Sequence, residues 1–264
     1  LGWADVQGIV DPDGGSLEWA CTDWRLLTDA PLTIYRDLSE ACLAEAVDAT
    51  VIATPNHTHR DVLHAVAASR KPVLLEKPMA TTLADAMDIV NLARDYPAVI
   101  QLGMQYRFKA QYVDALQVVA AECALGLVKT VAMSEYRPPF LDKVDQWNKF
   151  NRNSGGTLVE KCCHYFDLIN VFAQSRPRKV YASGGQAVNF LDFEWQGEES
   201  DIDDHAMVII DYDNGVRASF TLNMFCQELY EELVVVGERG RLVASEQASF
   251  QPDTPSKAEL LVEV

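Results

Sequence analysis

Two hundred and sixty-four residues suffice for two modest domains or one large one, and 48% hydrophobic with 23% charged residues is ordinary globular composition. That balance excludes a disordered, collagen-like or repeat chain. Thirty-nine Asp+Glu against 22 Lys+Arg leave a net charge of -17, which repels phosphate backbones and anionic lipid and argues against nucleic acid or a membrane surface as partner.

No apolar run approaches the roughly 20 residues of a membrane-spanning helix, and the opening Leu1-Gly2-Trp3-Ala4-Asp5 lacks the basic and apolar blocks of a signal peptide. The six cysteines show no C-x-x-C spacing, and adjacent Cys162 and Cys163 cannot bridge each other without strain. They read as reduced thiols of a soluble, cytoplasmic protein. Among five histidines the one close pair is His57-x-His59, with no cysteine or acidic ligand at metal spacing, so no metal is expected. The first residue is Leu, so the chain is processed, trimmed or never contained its own start.

In chain order, the first predicted strand is Asp5–Val10, closed by the turn cluster Asp11-Pro12-Asp13-Gly14-Gly15. Residues 48–54 form a second, stopped by Pro55-Asn56. Pro72–Glu76 and Ala98–Leu102 follow. All are apolar on both faces and alternate with helices, the pattern of a parallel sheet covered on both sides. Thr58-x-x-Asp61 and Thr82-x-x-Asp85 are capping-box starts, the second leading into the amphipathic series Leu83, Ala86, Met87, Val90 and Ala93.

Beyond Arg107 the pattern changes. A helix near 110–125 leads into β-type stretches at 128–136, 179–182, 206–212, 216–222, 233–236 and 241–244. Asp213-Asn214-Gly215 and Gly237-Glu238-Arg239-Gly240 are hairpin turns between neighbours, which imply an antiparallel sheet. The expected organisation is a Rossmann-like α/β domain over residues 1–107 and an α+β domain over 108–264 with a large, open, mainly antiparallel sheet. The five tryptophans and the Phe-rich stretches are assigned to the core.

Ligands of open parallel sheets bind beyond the carboxyl ends of the strands, which here carry Asp11, Thr54-Pro55-Asn56, Glu76-Lys77-Pro78 and Gln105-Tyr106-Arg107. Asp11 could hold the ribose hydroxyls of a dinucleotide, and no Arg follows closely to accept a 2′-phosphate, so NAD is favoured over NADP; equally, Asp11 could simply open an Asp-Pro turn. Pro78 biases Lys77 towards extended backbone, which either aims its ammonium into a crevice, where it could polarise a hydroxyl or carbonyl oxygen, or leaves a solvated strand end. In the stretch 155–169, helical spacing puts Glu160, His164 and Asp167 on one face and Leu158, Cys162, Phe166 and Ile169 on the other. The polar stripe either faces a cavity in which a carboxylate one turn away orients His164 for proton transfer, or marks a helix N-terminus with His164 satisfied in the core. His57, His64 and His205 read as structural or surface residues.

Taken together, Ala53-Thr54-Pro55-Asn56-x-x-His59, Lys71-x-Val73-x-x-Glu76-Lys77-Pro78, Tyr106-Arg107-Phe108 and Gly155-Gly156 followed by Glu160-x-x-x-His164-x-x-Asp167 resemble, in order and spacing, the glucose–fructose oxidoreductase/inositol dehydrogenase (Gfo/Idh/MocA) family. The resemblance implies NAD(P)-dependent oxidation of a secondary alcohol on a sugar, polyol or inositol-like substrate. It also implies a homodimer or homotetramer built through the antiparallel sheet. Carried over by motif, Lys77 contacts the reacting hydroxyl and His164 is the general acid/base. Glu160 stands where inositol-dehydrogenase-like members carry Asp. Asp11, Thr54, Pro55, Asn56, His59, Glu76, Lys77, Pro78 and Arg107 would line the cofactor, and Lys77, Tyr106, Glu160 and His164 the substrate. The family's opening strand and G-x-G-x-x-G turn are absent, so the expectation is a fragment lacking about 30 residues at the front and clipped after Val264, the antiparallel sheet reading as incomplete. The competing expectation is a degenerate member that serves as a non-catalytic sugar-binding or oligomerisation module; a third keeps the cofactor and reduces a non-sugar carbonyl or imine.

Overall fold

The computed structural model describes residues 4–249 and 255–264. The chain forms two compact units that divide between Gly103 and Met104. The division falls slightly before the boundary expected after residue 107, so Tyr106 and Arg107 go with the second unit.

In the first unit β1 (Gly8–Ile9) pairs in parallel with β2 (Thr33–Ile34). Only the centre of the stretch 5–10 is strand. Between them lies α1 (Gly14–Leu27), which begins inside what the sequence marks as a turn cluster because the Asp13 carboxylate caps it, accepting from the Ser16 N–H at 2.6 Å. A short α2 (Leu38–Leu43) leads to a separate parallel sheet of β3 (Thr50–Ile52), β4 (Val73–Leu75) and β5 (Ile100–Leu102), with Ile52, Leu75 and Leu102 in register. The crossovers are α3 (His59–Ala67) and α4 (Leu83–Asp95).

Thr82 caps α4 as expected, accepting from the Asp85 N–H. Thr58 does not cap α3: a 3-10 turn, Asn56–Thr58, precedes the helix, and the Thr58 hydroxyl donates to Thr54 Oγ1 and the Pro55 carbonyl. Ile52, Val73 and Leu75 pack with Leu63, Val66 and Ile89 into the core of this unit, where each large apolar side chain contributes about 1.5–3 kcal/mol. The expectation of strands covered on both faces is corrected, since Val51, 64% exposed, and Leu74 face away from that core. Trp19 on α1, 68% exposed, and Trp195 likewise lie outside the core to which the tryptophans were assigned; Trp3 is outside the described residues.

The second unit opens with a 3-10 turn, Gln105–Phe108, and α5 (Ala110–Leu116), which continues as a π-helical turn to Ala121. Next come β6 (Val128–Tyr136), α6 (Asn151–Ser154), α7 (Thr157–Glu160), α8 (Cys163–Ala173) and β7 (Pro177–Gly185). A small hairpin, β8 (Glu194–Trp195) and β9 (Glu198–Glu199), precedes β10 (His205–Tyr212), β11 (Arg217–Asn223), β12 (Leu229–Gly237), β13 (Arg241–Ala248) and β14 (Lys257–Glu263).

Seven strands make one mixed sheet in the order β14-β13-β12-β6-β11-β10-β7, antiparallel except for β6 against β11. Both predicted hairpins form, and Gly215 at φ 88° supplies the left-handed residue of the β10–β11 turn. One face of the sheet carries Val131, Met133, Phe220, Leu233 and Val235 against Tyr165, Leu168, Ile169 and Phe172 of α8.

Candidate active site

In the first unit the strand-end residues gather around one histidine. His59 is fully buried at the start of α3, with Nδ1 2.8 Å from the Pro78 carbonyl and Nε2 3.0 Å from the Thr54 carbonyl. Burial pulls its pKa below the ordinary imidazole value, outweighing the upward push of the two carbonyls. Each ring nitrogen faces a backbone carbonyl and the neutral ring donates to one of the two, so His59, expected at the cofactor, is held against the segment that carries Lys77.

The segment itself is arranged by short bonds. Glu76 follows β4, accepts from the Lys77 N–H at 3.2 Å, and lies so close to Gly103 that a Cβ there would sit 3.2 Å from its carboxylate. Lys77 is half-buried and joined to buried Pro78 by a cis peptide bond. Asn56 is buried. Asp11, half-buried after β1, accepts from the Asp13 N–H at 2.8 Å and so does form the Asp-Pro turn that was one of its two readings.

Parallel register aligns the carboxyl ends of β3, β4 and β5, so Thr54, Asn56 and Lys77 lie along one edge, residue types that suit the nicotinamide end of a dinucleotide. The pyrophosphate is another matter. Among the described residues no glycine-rich turn joins a strand to a helix N-terminus as such a group requires, and the N-terminus of α1 is already taken by the anionic Asp13 side chain.

The second unit gathers its candidate residues on α7, α8 and the buried face of the sheet. Gly155 and Gly156 both adopt positive φ, 80° and 84°, and a Cβ on Gly156 would come 2.5 Å from Asn151 Oδ1. Only glycine suits the reversal that starts α7. α7 is a single turn that ends at Glu160, and α8 starts afresh at Cys163, so the continuous polar stripe of Glu160, His164 and Asp167 is corrected. The spacing alone could not reveal the break because both pieces keep the helical repeat.

Glu160 is half-buried at the end of α7. His164 is buried on the stripe of α8 that also carries Tyr165, Leu168 and Phe172. Asp167 is not its orienting carboxylate: Arg107 holds it in a two-pronged pair at 2.6 and 2.5 Å. Arg107, expected at the cofactor, is thereby committed to α8.

His164 rests on Tyr106. The two rings stack with centroids 4.2 Å apart and planes 6° from parallel. The Tyr106 hydroxyl accepts from Lys161 Nζ at 2.8 Å, and Lys161 in turn faces Glu135 Oε1 at 3.3 Å. Glu135 and Glu231 are fully buried cross-strand neighbours on β6 and β12. Like charges so placed repel, and the surroundings answer them. Lys109 donates to Glu231 at 2.5 Å and to Glu246 at 2.6 Å, and the Tyr112 and Tyr165 hydroxyls donate to Glu231 at 2.8 and 3.0 Å. Arg137 lies 3.6 Å from Glu135. Burial pushes the Lys161 pKa down, but the Glu135 charge and the Tyr106 hydroxyl together outweigh it and the net shift is upward.

Sequence reasoning passed over Lys161, Glu135, Lys109 and Glu231, although a signal existed. Strand alternation places Glu135 with Val131 and Met133, and Glu231 with Leu233 and Val235, on the apolar face. The other histidines lie apart from the site, His64 against Asp88 at 2.7 Å and His205 against Asp204 at 2.9 Å. All six cysteines are free thiols.

Comparison with known proteins bears on both units. Residues 3–104 match a family described as an oxidoreductase family with an NAD-binding Rossmann fold, and residues 113–243 match the GFO/IDH/MocA C-terminal domain. Oxidoreductase YrbE of Bacillus subtilis is 24% identical over 234 residues, 88% of this chain and 61% of that protein. Myo-inositol 2-dehydrogenase of Thermotoga maritima is 24% identical over 213 residues, 80% of this chain and 60% of that protein. The crystal structure of GenD2 from gentamicin A biosynthesis, in complex with NAD, superposes with a TM-score of 0.76 at 23% identity over 91% of this chain and 65% of its own, a likeness of fold. The chain thus spans about three fifths of the length of these two curated relatives.

Proposed function

This chain belongs to the Gfo/Idh/MocA oxidoreductase family, and from that premise we propose that it transfers a hydride between a nicotinamide cofactor and a secondary alcohol of a sugar, polyol or inositol-like substrate. The observation that carries this reading is His164, a buried imidazole laid flat on Tyr106 above a charge-compensated cluster. A ring so fixed has the type and rigidity that proton transfer to or from an alcohol asks for. Myo-inositol 2-dehydrogenase among the relatives supports the substrate class.

When bound, the cofactor supplies the hydride acceptor or donor. The chain's own residues do the rest. Lys77, on the segment pinned by His59, contacts the reacting oxygen and eases loss of its proton. His164 takes that proton in oxidation and returns it in reduction. Glu160 closes the substrate side, its carboxylate suited to accepting hydroxyl hydrogen bonds. Thr54, Pro55 and Asn56 line the cofactor, and the Asp11 carboxylate, with no arginine close behind it, favours NAD over NADP. We assign subunit pairing to the outer face of the seven-stranded sheet, where Met207 and Ile209 stand exposed on neighbouring positions of β10.

The test is titration of the chain with NADH, following energy transfer from its tryptophans, and then turnover with sugars and polyols. Saturable binding with turnover supports the reading, and His164→Ala should then cut kcat by about 100-fold or more while leaving NADH affinity unchanged. Lys77→Met should lower kcat/KM by a similar factor. A folded chain that binds no NADH would favour the non-catalytic sugar-binding or oligomerisation module instead.

A further inference from the structure

The buried charges beneath Tyr106 play no part in the proton transfer just described, yet they contact the one ring on which His164 rests. We propose that Lys161 is a positioning residue: anchored by Glu135, it holds the Tyr106 hydroxyl and thereby sets the plane of His164. This deepens the functional reading above and rests on His164 being the proton-transfer group.

Several observations carry it. Lys161 lies at the step between α7 and α8, with its side chain only 13% exposed. Its ammonium contacts the Tyr106 hydroxyl at 2.8 Å and Glu135 at 3.3 Å. Burying an ion pair carries a desolvation cost that its attraction must first repay, so an apolar pair would serve stability at least as well. Held at its hydroxyl end, the ring cannot slide or tilt freely, and its ring contacts lack the directionality of a hydrogen bond: the Tyr165 edge at 5.6 Å and the stacked Tyr112 ring at 6.4 Å between centroids, and the Lys109 ammonium 4.0 Å from the ring centre. The hydrogen bond from Lys161 therefore fixes the orientation, and the stacked imidazole at 4.2 Å follows it. A misplacement of reacting groups by about 1 Å can cost up to roughly 100-fold in rate.

The experiment compares wild type, Lys161→Met, Lys161→Arg, Tyr106→Leu and the double variant Lys161→Met/Tyr106→Leu in the full chain. Two readouts are taken: the NMR position of the His164 ring C–H signals and steady-state kinetics. Stacking places the His164 signals upfield through the ring current of Tyr106, and Tyr106→Leu abolishes that shift. Lys161→Met should move the signals and lower kcat roughly tenfold with NADH affinity unchanged, Lys161→Arg should restore most of both, and Lys161→Met should add nothing in the Tyr106→Leu background. An unmoved His164 signal in Lys161→Met, or losses that simply add in the double variant, would overturn the proposal. Should Lys161→Met fail to fold, Glu135→Gln/Lys161→Met removes both charges and gives the same readouts. If the wild-type chain turns nothing over, the functional reading fails, and the ring signals alone still decide whether Lys161 orients His164.

Discussion

The first unit has strands of two or three residues and a small core, and two of its backbone carbonyls meet a single buried imidazole, His59. The second has strands of seven to nine residues across one continuous sheet, and beneath His164 it buries Glu135 and Glu231 with Lys161 and Lys109 set against them. The contrast teaches what supports a polar site. An uncharged pin needs little scaffold, whereas desolvated ions demand many fixed partners to answer each charge. The first unit also leaves Val51 and Val99, each 64% exposed, in solvent, so burial there contributes less per apolar residue.

The widest gap between the two modes should open on removing a buried charge. Glu231→Leu leaves Lys109 with Glu246 alone and strands the Tyr112 and Tyr165 hydroxyls, at a cost of about 3–5 kcal/mol. Urea denaturation should register this in the second unit and spare the first. A loss below about 1 kcal/mol would mean that the cluster carries little, since that is the scale of exposed ion pairs.

A smaller effect is expected from the neutral pin. His59→Leu removes the buried donor from one of the Pro78 and Thr54 carbonyls, worth about 1–3 kcal/mol. Its pH signature separates it from packing loss. Because the folded state holds His59 below its unfolded value, the unfolded chain takes up the proton first, so stability present above about pH 6.5 is lost as pH falls below that value. Hydrogen exchange in α3 and β4 between pH 7.5 and 5.5 should show this slope in wild type and not in His59→Leu.

The smallest effect belongs to the open face of the first sheet. Val51→Thr keeps the β-branched shape and removes no buried contact, so the thermal midpoint should reflect a change within about 0.5 kcal/mol. A loss of 2 kcal/mol or more, on the order of a buried valine, would show that Val51 is covered in solution and would remove that side of the comparison.

Both motif regions were legible residue by residue. Hydrophobic runs of strand length found β3, β4 and β5, alternation and two glycine turns found β10 to β13, and the Thr82 cap found α4. Less legible were features settled by partners distant in sequence. The break between α7 and α8 hides inside an unbroken helical repeat. Asp167, one of the two carboxylates placed on a stripe with His164, is claimed by Arg107, sixty residues earlier.

The residue types and spacings of this chain determined on their own which side chains can do chemistry and which elements carry them, because periodicity and turn chemistry are local properties. Only the tertiary structure decided what each of those side chains touches. It turned His59 from a ligand into a pin, and it set Lys161 beneath Tyr106 with Glu135 and Glu231 side by side in the sheet. The reason is physical: a buried charge or imidazole takes its role from the groups that answer it, and here those groups arrive on strands and helices dozens of residues away.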